Sequence, residues 1–342
     1  MGRKTEISVL NVLFCLMVIF IHVTSYPITQ LPADSFVVKM LYPVQKLCGV
    51  AVYGFIFLSG LKLFLGGRNI SLKKYYFSRI KRVYFPYIIF TVVYYLYEVN
   101  RGYFTFNLKE LSVFLLNGNV ECHLYFVVII MQFYLLFPLW RYLINSKHSA
   151  VILLSSAILN ILFVYKLPVI LETAGIKGFS YNDRVFTSYL FFWLLGCFCG
   201  KNYEKFKNAL SNGLSIYLLL FLTAFVVDTF LSFKAFTGQR FYAVGEAVHL
   251  LYCFGAILFL YSAVLIFKDC GAANNKFMKA VDTASFEIYL VHILFVHIVN
   301  DIIANHFSAG ALEAYVIRFI SVYLLSIVSC ILYKKLISVI KR

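Results

Sequence analysis

Two groups of polar side chains stand in apolar stretches, at spacings that place each group on one face of a helix. In the first apolar stretch, Asn11 and His22 are eleven residues apart, close to three helical turns or about 16 Å. In a later stretch, Ser285, Tyr289 and His292 follow one another at steps of four and three. Because histidine exchanges protons near neutral pH, His22 and His292 are candidate acid–base residues.

The elements that must position these residues are membrane helices. The 342 residues are 62% hydrophobic and 13% charged, with a mean hydropathy of +0.83, which no ordinary soluble domain reaches. We predict an all-α integral membrane protein, with residues 1–342 forming a single membrane-embedded domain of about ten transmembrane helices. The expected spans lie near 7–26, 47–65, 83–99, 124–141, 150–165, 187–200, 213–231, 249–267, 284–303 and 314–333.

The distribution of basic residues sets the expected orientation. With the N-terminus in the cytoplasm, the inner segments carry twenty of the Lys and Arg residues and the outer segments nine. This bias follows the positive-inside rule, so both termini are predicted to be cytoplasmic. The net charge of +16 is then largely explained by topology, and no nucleic-acid partner is expected. The first span is too long for the apolar core of a cleavable signal peptide, so we expect it to be retained.

The same topology assigns depths to the two histidines. His22 lies about 22 Å from the inner end of its span, whereas His292 lies only about 12 Å from the inner end of the span near 284–303. Unless the two helices are offset, the side chains are therefore predicted to line different levels of one cavity rather than to meet.

One inner segment, 68–82, holds six basic residues and no acidic one. Arg79 and Arg82 are three residues apart, so they are expected to share a helix face. The segment suits either anionic lipid headgroups or the phosphates of a cytosolic ligand, since a guanidinium matches phosphate oxygens. Lys62, near the inner end of its span, is expected to reach the same surface.

On the outer side, Glu121 and His123 stand where the chain re-enters the membrane. The pair suits hydrogen bonding to a sugar hydroxyl or acid–base chemistry, and equally a helix start with a carboxylate near the N-terminal dipole. The eight cysteines show neither disulfide nor paired metal-ligand spacing, so no metal is predicted. The sequence also lacks a Walker A loop, which argues against an ATP-driven pump.

Six pieces of the sequence, in order, resemble the acyltransferase-3 family of bacterial membrane acyltransferases over essentially the whole chain. They are His22, GFIFLSG at 54–60, SRIKRVYFPY at 78–87, HLYFVVIIMQFY at 123–134, WLLGCFCG at 193–200 and SFEIYLVH at 285–292. Members of this family transfer acyl groups, commonly acetyl, to hydroxyls of surface polysaccharides and other acceptors, with a cytosolic acyl-coenzyme A as the donor.

The resemblance implies roles for individual residues. It makes His22 the catalytic histidine and places Arg79 and Arg82 in the motif that binds the donor. Tyr289 and His292 are then expected to orient the thioester or stabilise the oxyanion. Many members carry Arg or Lys where this chain has Asn11, and we expect Lys62 to supply the missing cation.

The expected function is therefore transfer of an acetyl or succinyl group from acyl-coenzyme A to a hydroxyl of a surface polysaccharide or a lipid-linked glycan. Asn11, Lys62, Arg79, Arg82, Glu121, His123 and Ser285 are the expected binding residues, and no tightly bound cofactor is expected. Two other classes remain open, an exporter of the glycan and a scaffold for a glycosyltransferase complex. In every case we expect a multi-pass protein of the bacterial cytoplasmic membrane, in contact with its lipids.

Overall fold

The computed structural model describes residues 4–66, 71–175, 182–239, 242–267 and 275–340, which form helices and turns without a strand. The all-α prediction is confirmed for these residues. A π-helical turn, Ile80–Tyr84, joins α4 to α5, and two 3₁₀ turns, Asn182–Arg184 and Phe186–Tyr189, precede α10. The α-helices are α1 (Thr5–Gln30), α2 (Phe36–Cys48), α3 (Val50–Phe64), α4 (Leu72–Arg79), α5 (Phe85–Asn100), α6 (Leu108–Asn117), α7 (Tyr125–Leu135), α8 (Phe137–Asn145), α9 (Ser149–Thr173), α10 (Leu190–Lys201), α11 (Tyr203–Ser211), α12 (Leu214–Phe236), α13 (Tyr242–Phe267), α14 (Lys276–His306) and α15 (Ala311–Ile340).

Length and composition identify the helices that can cross a membrane. Among the described residues, six qualify, and they are Thr5–Gln30, Phe36–Phe64, Leu214–Phe236, Gly245–Phe267, Lys276–His306 and Ala311–Ile340. A seventh is added if α7 and α8, which meet at an angle of 60°, are counted as one bent span. Pro138 in the first turn of α8 explains the bend, because proline cannot continue the hydrogen-bond ladder of α7.

The prediction of about ten spans is thus met at six or seven positions. At two of the other three positions the helical segment is shorter. Helix α5 has 16 residues and carries four tyrosines and Glu98, and Phe186–Lys201 is of similar length. At the third position α9 has 25 residues, and its described apolar stretch is Ser149–Val164. A 16-residue helix extends about 24 Å, less than the roughly 30 Å of a hydrocarbon core.

The chain divides into two compact units, and the boundary falls within α3. The first unit comprises the described residues of 1–55 and 204–342, and the second comprises those of 56–203.

The core of the first unit is built around α1, which packs against α14 and α15. Apolar side chains of α1 at steps of three and four meet a similarly spaced row of α14, and this core includes Val12, Cys15, Ile19, Val23, Val281, Ala284 and Ile288. The Tyr323 hydroxyl of α15 donates a hydrogen bond of 2.7 Å to the carbonyl oxygen of Leu16. The polar residues of α1 therefore stand between layers of packed apolar side chains.

Helix α14 begins earlier than its apolar sequence indicates. The side chain of Asn275 accepts a hydrogen bond of 2.7 Å from the amide of Met278, a helix N-cap. The first turns, from Lys276 onward, carry lysines and Asp282, which excluded them from the predicted span near 284–303. The helix therefore starts eight residues before the predicted span.

In the second unit, small residues bring the backbones of α3 and α10 together. A Cβ atom at Gly196 would lie 2.1 Å from the carbonyl oxygen of Phe57, and one at Gly200 would lie 2.3 Å from that of Leu61. This spacing of two glycines four residues apart is typical of close helix pairs in membranes. The ring of Trp193 in α10 stacks on Phe133 of α7, with 4.5 Å between ring centroids.

Candidate active site

His22 and His292 are neighbours in the first unit, with 5.1 Å between their ring centroids. The prediction that they line different levels is wrong, because it started the second helix too late. Counted from Lys276, His292 lies about 24 Å along α14, and His22 lies about 25 Å along α1 from Thr5. His292 is fully buried, whereas His22 is only partly buried.

The backbone fixes the tautomer of His292. Its Nδ1 lies 2.7 Å from the carbonyl oxygen of Tyr289, one turn earlier in α14. A carbonyl oxygen can only accept, so Nδ1 carries a proton and the neutral imidazole has its lone pair at Nε2. The Tyr289 ring lies 6.0 Å from the His292 ring. The contact between the Tyr289 and His292 rings is consistent with the prediction that these residues share a helix face with Ser285. Ser285 lies on the side of α14 that contacts Asn11 of α1.

Asn11 and Ser285 meet below the histidines, and Asp282 joins them. The amide nitrogen of Asn11 donates hydrogen bonds of 2.7 Å to both Oδ1 of Asp282 and Oγ of Ser285. Oγ of Ser285 donates in turn to the carbonyl oxygen of Asp282 at 3.0 Å. All three side chains are buried, with at most 9% of their surface exposed.

Sequence reasoning missed Asp282. The signal for it was the step of three between Asp282 and Ser285, which continues the polar face of α14 toward its start. Asn11 therefore has an acidic partner at the position where the family resemblance leads one to expect a cation on α1. The polar face of α1 contacts α14 at two polar clusters. In the first, Asn11 bonds to Asp282 and Ser285. In the second, about 16 Å further along α1, His22 lies beside His292.

The basic segment lies in the second unit, and its arginines differ in environment. The Arg79 guanidinium lies 4.4 Å from the ring centroid of Tyr134 and 5.1 Å from that of Tyr75, and its Nε is buried with no hydrogen-bond partner among the described residues. Burial raises the pKa of the Tyr75 phenol well above its ordinary value, so this ring stays neutral. Arg82 is exposed.

The prediction that Arg79 and Arg82 share a helix face needs correction. It assumed an unbroken α-helix, but the π-helical turn begins at Ile80, directly after Arg79. The wider turn changes the angle between the two side chains, and one packs among aromatic rings while the other faces outward. The start of the basic segment, 68–70, lies outside the described residues.

The remaining predicted binding residues also belong to the second unit. Lys62 is exposed in the last turn of α3. Glu121 and His123 lie in the turn that precedes α7, as the predicted helix start requires. His123 is 2% exposed and its ring lies 5.4 Å from that of Tyr94, while Glu121 is half-buried.

A second buried polar cluster in the first unit joins α12 to α13. Nδ1 of His249 lies 3.0 Å from Oδ2 of Asp228, and its Nε2 lies 3.6 Å from Sγ of Cys253. Asp228 is 1% exposed. This cluster links two helices that pack closely along their length.

Comparison with known proteins places the chain in a family. A family model described as an acyltransferase domain, that of the acyltransferase-3 family, matches residues 5–335. The chain belongs to this family. Its polar α1 and α14 faces, with the histidine pair between them, thus lie within the matched acyltransferase domain.

The curated relatives come from staphylococci. A probable poly-β-1,6-N-acetyl-D-glucosamine export protein of Staphylococcus epidermidis is 25% identical over 305 residues, covering 85% of this chain and 80% of that protein. The protein of the same name from Staphylococcus aureus strain MSSA476 is 24% identical, covering 84% of this chain and 81% of its own length. No solved structure matches the chain.

Proposed function

We propose that this protein is a membrane O-acyltransferase that moves an acyl group from a cytosolic acyl-coenzyme A to a hydroxyl of a surface polysaccharide. The observation that carries the proposal is the pairing of His22 with His292, 5.1 Å apart, inside an acyltransferase domain. Ionisable side chains within membrane helices are costly and mark functional sites. The names of the relatives support a β-1,6-linked N-acetylglucosamine polymer, or its precursor, as the acceptor.

In the proposed reaction, His22 is the general base because it is the more exposed of the two imidazoles. It takes the proton of the acceptor hydroxyl as that oxygen attacks the thioester carbonyl. The carbon–sulfur bond then breaks, and coenzyme A leaves as a thiol after receiving the proton from His22. The Tyr289 carbonyl holds the proton of His292 at Nδ1, which aligns that imidazole beside His22 for orienting the thioester or stabilising the oxyanion.

The donor's phosphates are proposed to bind at Arg79 and Arg82. The aromatic rings of Tyr75 and Tyr134 hold the Arg79 guanidinium in place, which limits the entropy lost on binding phosphate. Exposed Arg82 and Lys62 add positive charge to the same proposed site. Glu121 and His123 are proposed to contact the glycan acceptor.

The proposed setting is the bacterial cytoplasmic membrane, with ten crossings and both termini in the cytoplasm. This count is supported by the helices found at all ten predicted positions and by the excess of Lys and Arg on the predicted inner side. Reporter fusions after each predicted span measure it. An outward-facing C-terminus would contradict the proposed topology. Partnership with a glycosyltransferase complex is part of the same proposal.

The test uses purified protein in liposomes with acyl-labelled acyl-coenzyme A and a β-1,6-linked N-acetylglucosamine oligosaccharide. The wild type is expected to transfer label to the oligosaccharide, and His22→Ala to lower the rate by about 100-fold or more. His148→Ala, at an exposed histidine, is the matched control and is expected to keep the wild-type rate. A well-folded His22→Ala protein that transfers at the wild-type rate would contradict the assignment.

Export of the glycan is the second candidate, because the relatives are named as export proteins. The same liposomes separate the two functions. Unlabelled oligosaccharide that crosses the bilayer without acylation favours export, whereas labelled oligosaccharide favours acyl transfer. A protein that does neither is a scaffold.

A further inference from the structure

Arg318 is a buried cation that the acyl-transfer step described above does not use. It lies on α15 and is 2% exposed, seven residues or about 10 Å from the start of that helix. Helix α15 is one of the helices that can cross a membrane, so its guanidinium is buried within a span. A charge in that position is costly unless neighbouring groups neutralise it or accept its hydrogen bonds. The groups around Arg318 therefore indicate whether a ligand is needed there.

The described surroundings of Arg318 do not neutralise it. Its Nε donates to Oδ1 of Asn300 on α14, and its Cζ lies 4.7 Å from the ring centroid of Tyr26 on α1. Both neighbours are uncharged. Its Nη1 is buried with no hydrogen-bond partner among the described residues, and none of their ion pairs includes Arg318. A guanidinium with an unused donor binds a carboxylate well, because its fork matches the two oxygens.

The position of the unused Arg318 donor can be compared with that of the histidine pair. Tyr26 follows His22 by four residues, which puts it on the same face of α1, about 6 Å further along. Asn300 follows His292 by eight residues, about 12 Å along α14. The guanidinium therefore lies beyond the histidines on the side away from Asn11.

We propose that Arg318 binds the free carboxylate of a dicarboxylic acyl group, so that the protein prefers succinyl over acetyl donors. The inference rests on the proposed function. In an extended four-carbon group the terminal carbons are about 4 Å apart, and a hydrogen bond adds about 3 Å. The acyl group and its hydrogen bond together therefore span about 7 Å. The two neighbours of Arg318 lie about 6 Å beyond His22 and about 12 Å beyond His292 along their helices, so this span falls near the lower of the two offsets. An acetyl group has no carboxylate and is two carbons shorter.

The test compares succinyl-coenzyme A with acetyl-coenzyme A as donor in the liposome assay, with the neutral oligosaccharide as acceptor. For Arg318→Gln, kcat/KM with succinyl-coenzyme A is expected to fall about 30-fold or more, while kcat/KM with acetyl-coenzyme A stays within about threefold of wild type. Lys334→Gln removes one positive charge from the same helix, where Lys334 pairs with Glu287, and is expected to leave the donor preference unchanged.

Each remaining outcome decides one of the two proposals. Parallel losses with both donors in a folded Arg318→Gln protein, or no loss with either, would overturn the role of Arg318. If that variant does not fold, the wild-type preference decides, with at least a tenfold advantage for succinyl-coenzyme A expected and equal use overturning the inference. A wild type that transfers acetyl but not succinyl also overturns it. A wild type that transfers neither overturns the proposed acyl transfer itself.

Discussion

Replacing Gly196 by Ala tests whether close approach of α3 and α10 stabilises the second unit. The added Cβ would lie 2.1 Å from the carbonyl oxygen of Phe57, 2.9 Å from its carbonyl carbon and 3.1 Å from the amide nitrogen of Leu61. All three contacts are with backbone, so no side-chain rotation relieves them. To reach even the tightest contact that Cβ atoms make, about 3 Å, the helices must separate locally by about 1 Å.

Such a separation weakens the packing along the whole crossing. A gap of 0.5–1 Å forfeits about a quarter to a half of each dispersion contact. Overpacked cores lose about 1–3 kcal/mol in unfolding free energy, which for a chain of this size lowers Tm by roughly 1.5–4 °C. Gly200→Ala is expected to behave in the same way, since its Cβ would lie 2.3 Å from the Leu61 carbonyl oxygen.

Thermal unfolding in detergent, followed with a thiol-reactive dye, measures this effect. Cys197 and Cys199 are buried on α10 beside the substituted glycine, so they become reactive as the crossing opens. Gly245→Ala is the matched control, because a Cβ at this helical position meets nothing within 4 Å. Its Tm is expected to stay the same or rise slightly, since Ala favours helix over Gly. If the Tm of Gly196→Ala lies within 1 °C of the Tm of the wild type and of Gly245→Ala, close packing of α3 against α10 does not stabilise the second unit.

Two further predictions concern the polar residues. Arg79→Ala and Arg82→Ala are both expected to weaken binding of acyl-coenzyme A. Only Arg79→Ala is expected to lower Tm, because it removes cation–π contacts of about 0.5–2 kcal/mol. Equal Tm values for the two variants would contradict this prediction. Asn11→Ala and Asp282→Ala are each expected to lower the unfolding free energy of the protein by about 1–3 kcal/mol. A double-mutant cycle should show a coupling of at least about 0.5 kcal/mol between the two substitutions. Strictly additive effects would mean that the hydrogen bond between Asn11 and Asp282 contributes nothing to stability.

The sequence by itself determined the class of protein and the places of its helices. Composition and apolar run length depend only on local sequence, so all ten predicted spans coincide with helices even where two are short. The polar faces of α1 and α14 were also predictable, because a helix of 3.6 residues per turn places Asn11 with His22, and Ser285 with Tyr289 and His292, on single faces. The order of motifs predicted the acyltransferase family, and the family model confirmed it.

Only the tertiary structure decided which of these residues meet. The depth of His292 depended on where α14 begins, and the Asn275 cap, rather than the edge of the apolar run, sets that point. Asp282 lies in the polar first turns of α14. It becomes a hydrogen-bond partner of Asn11 because α1 packs against that face of α14, which the local sequence does not specify. The π-helical turn after Arg79 breaks the spacing from which a shared face with Arg82 was inferred. Helix period fixes a side chain's direction from its own axis, but contacts between residues far apart in sequence depend on the start, offset and packing of each helix.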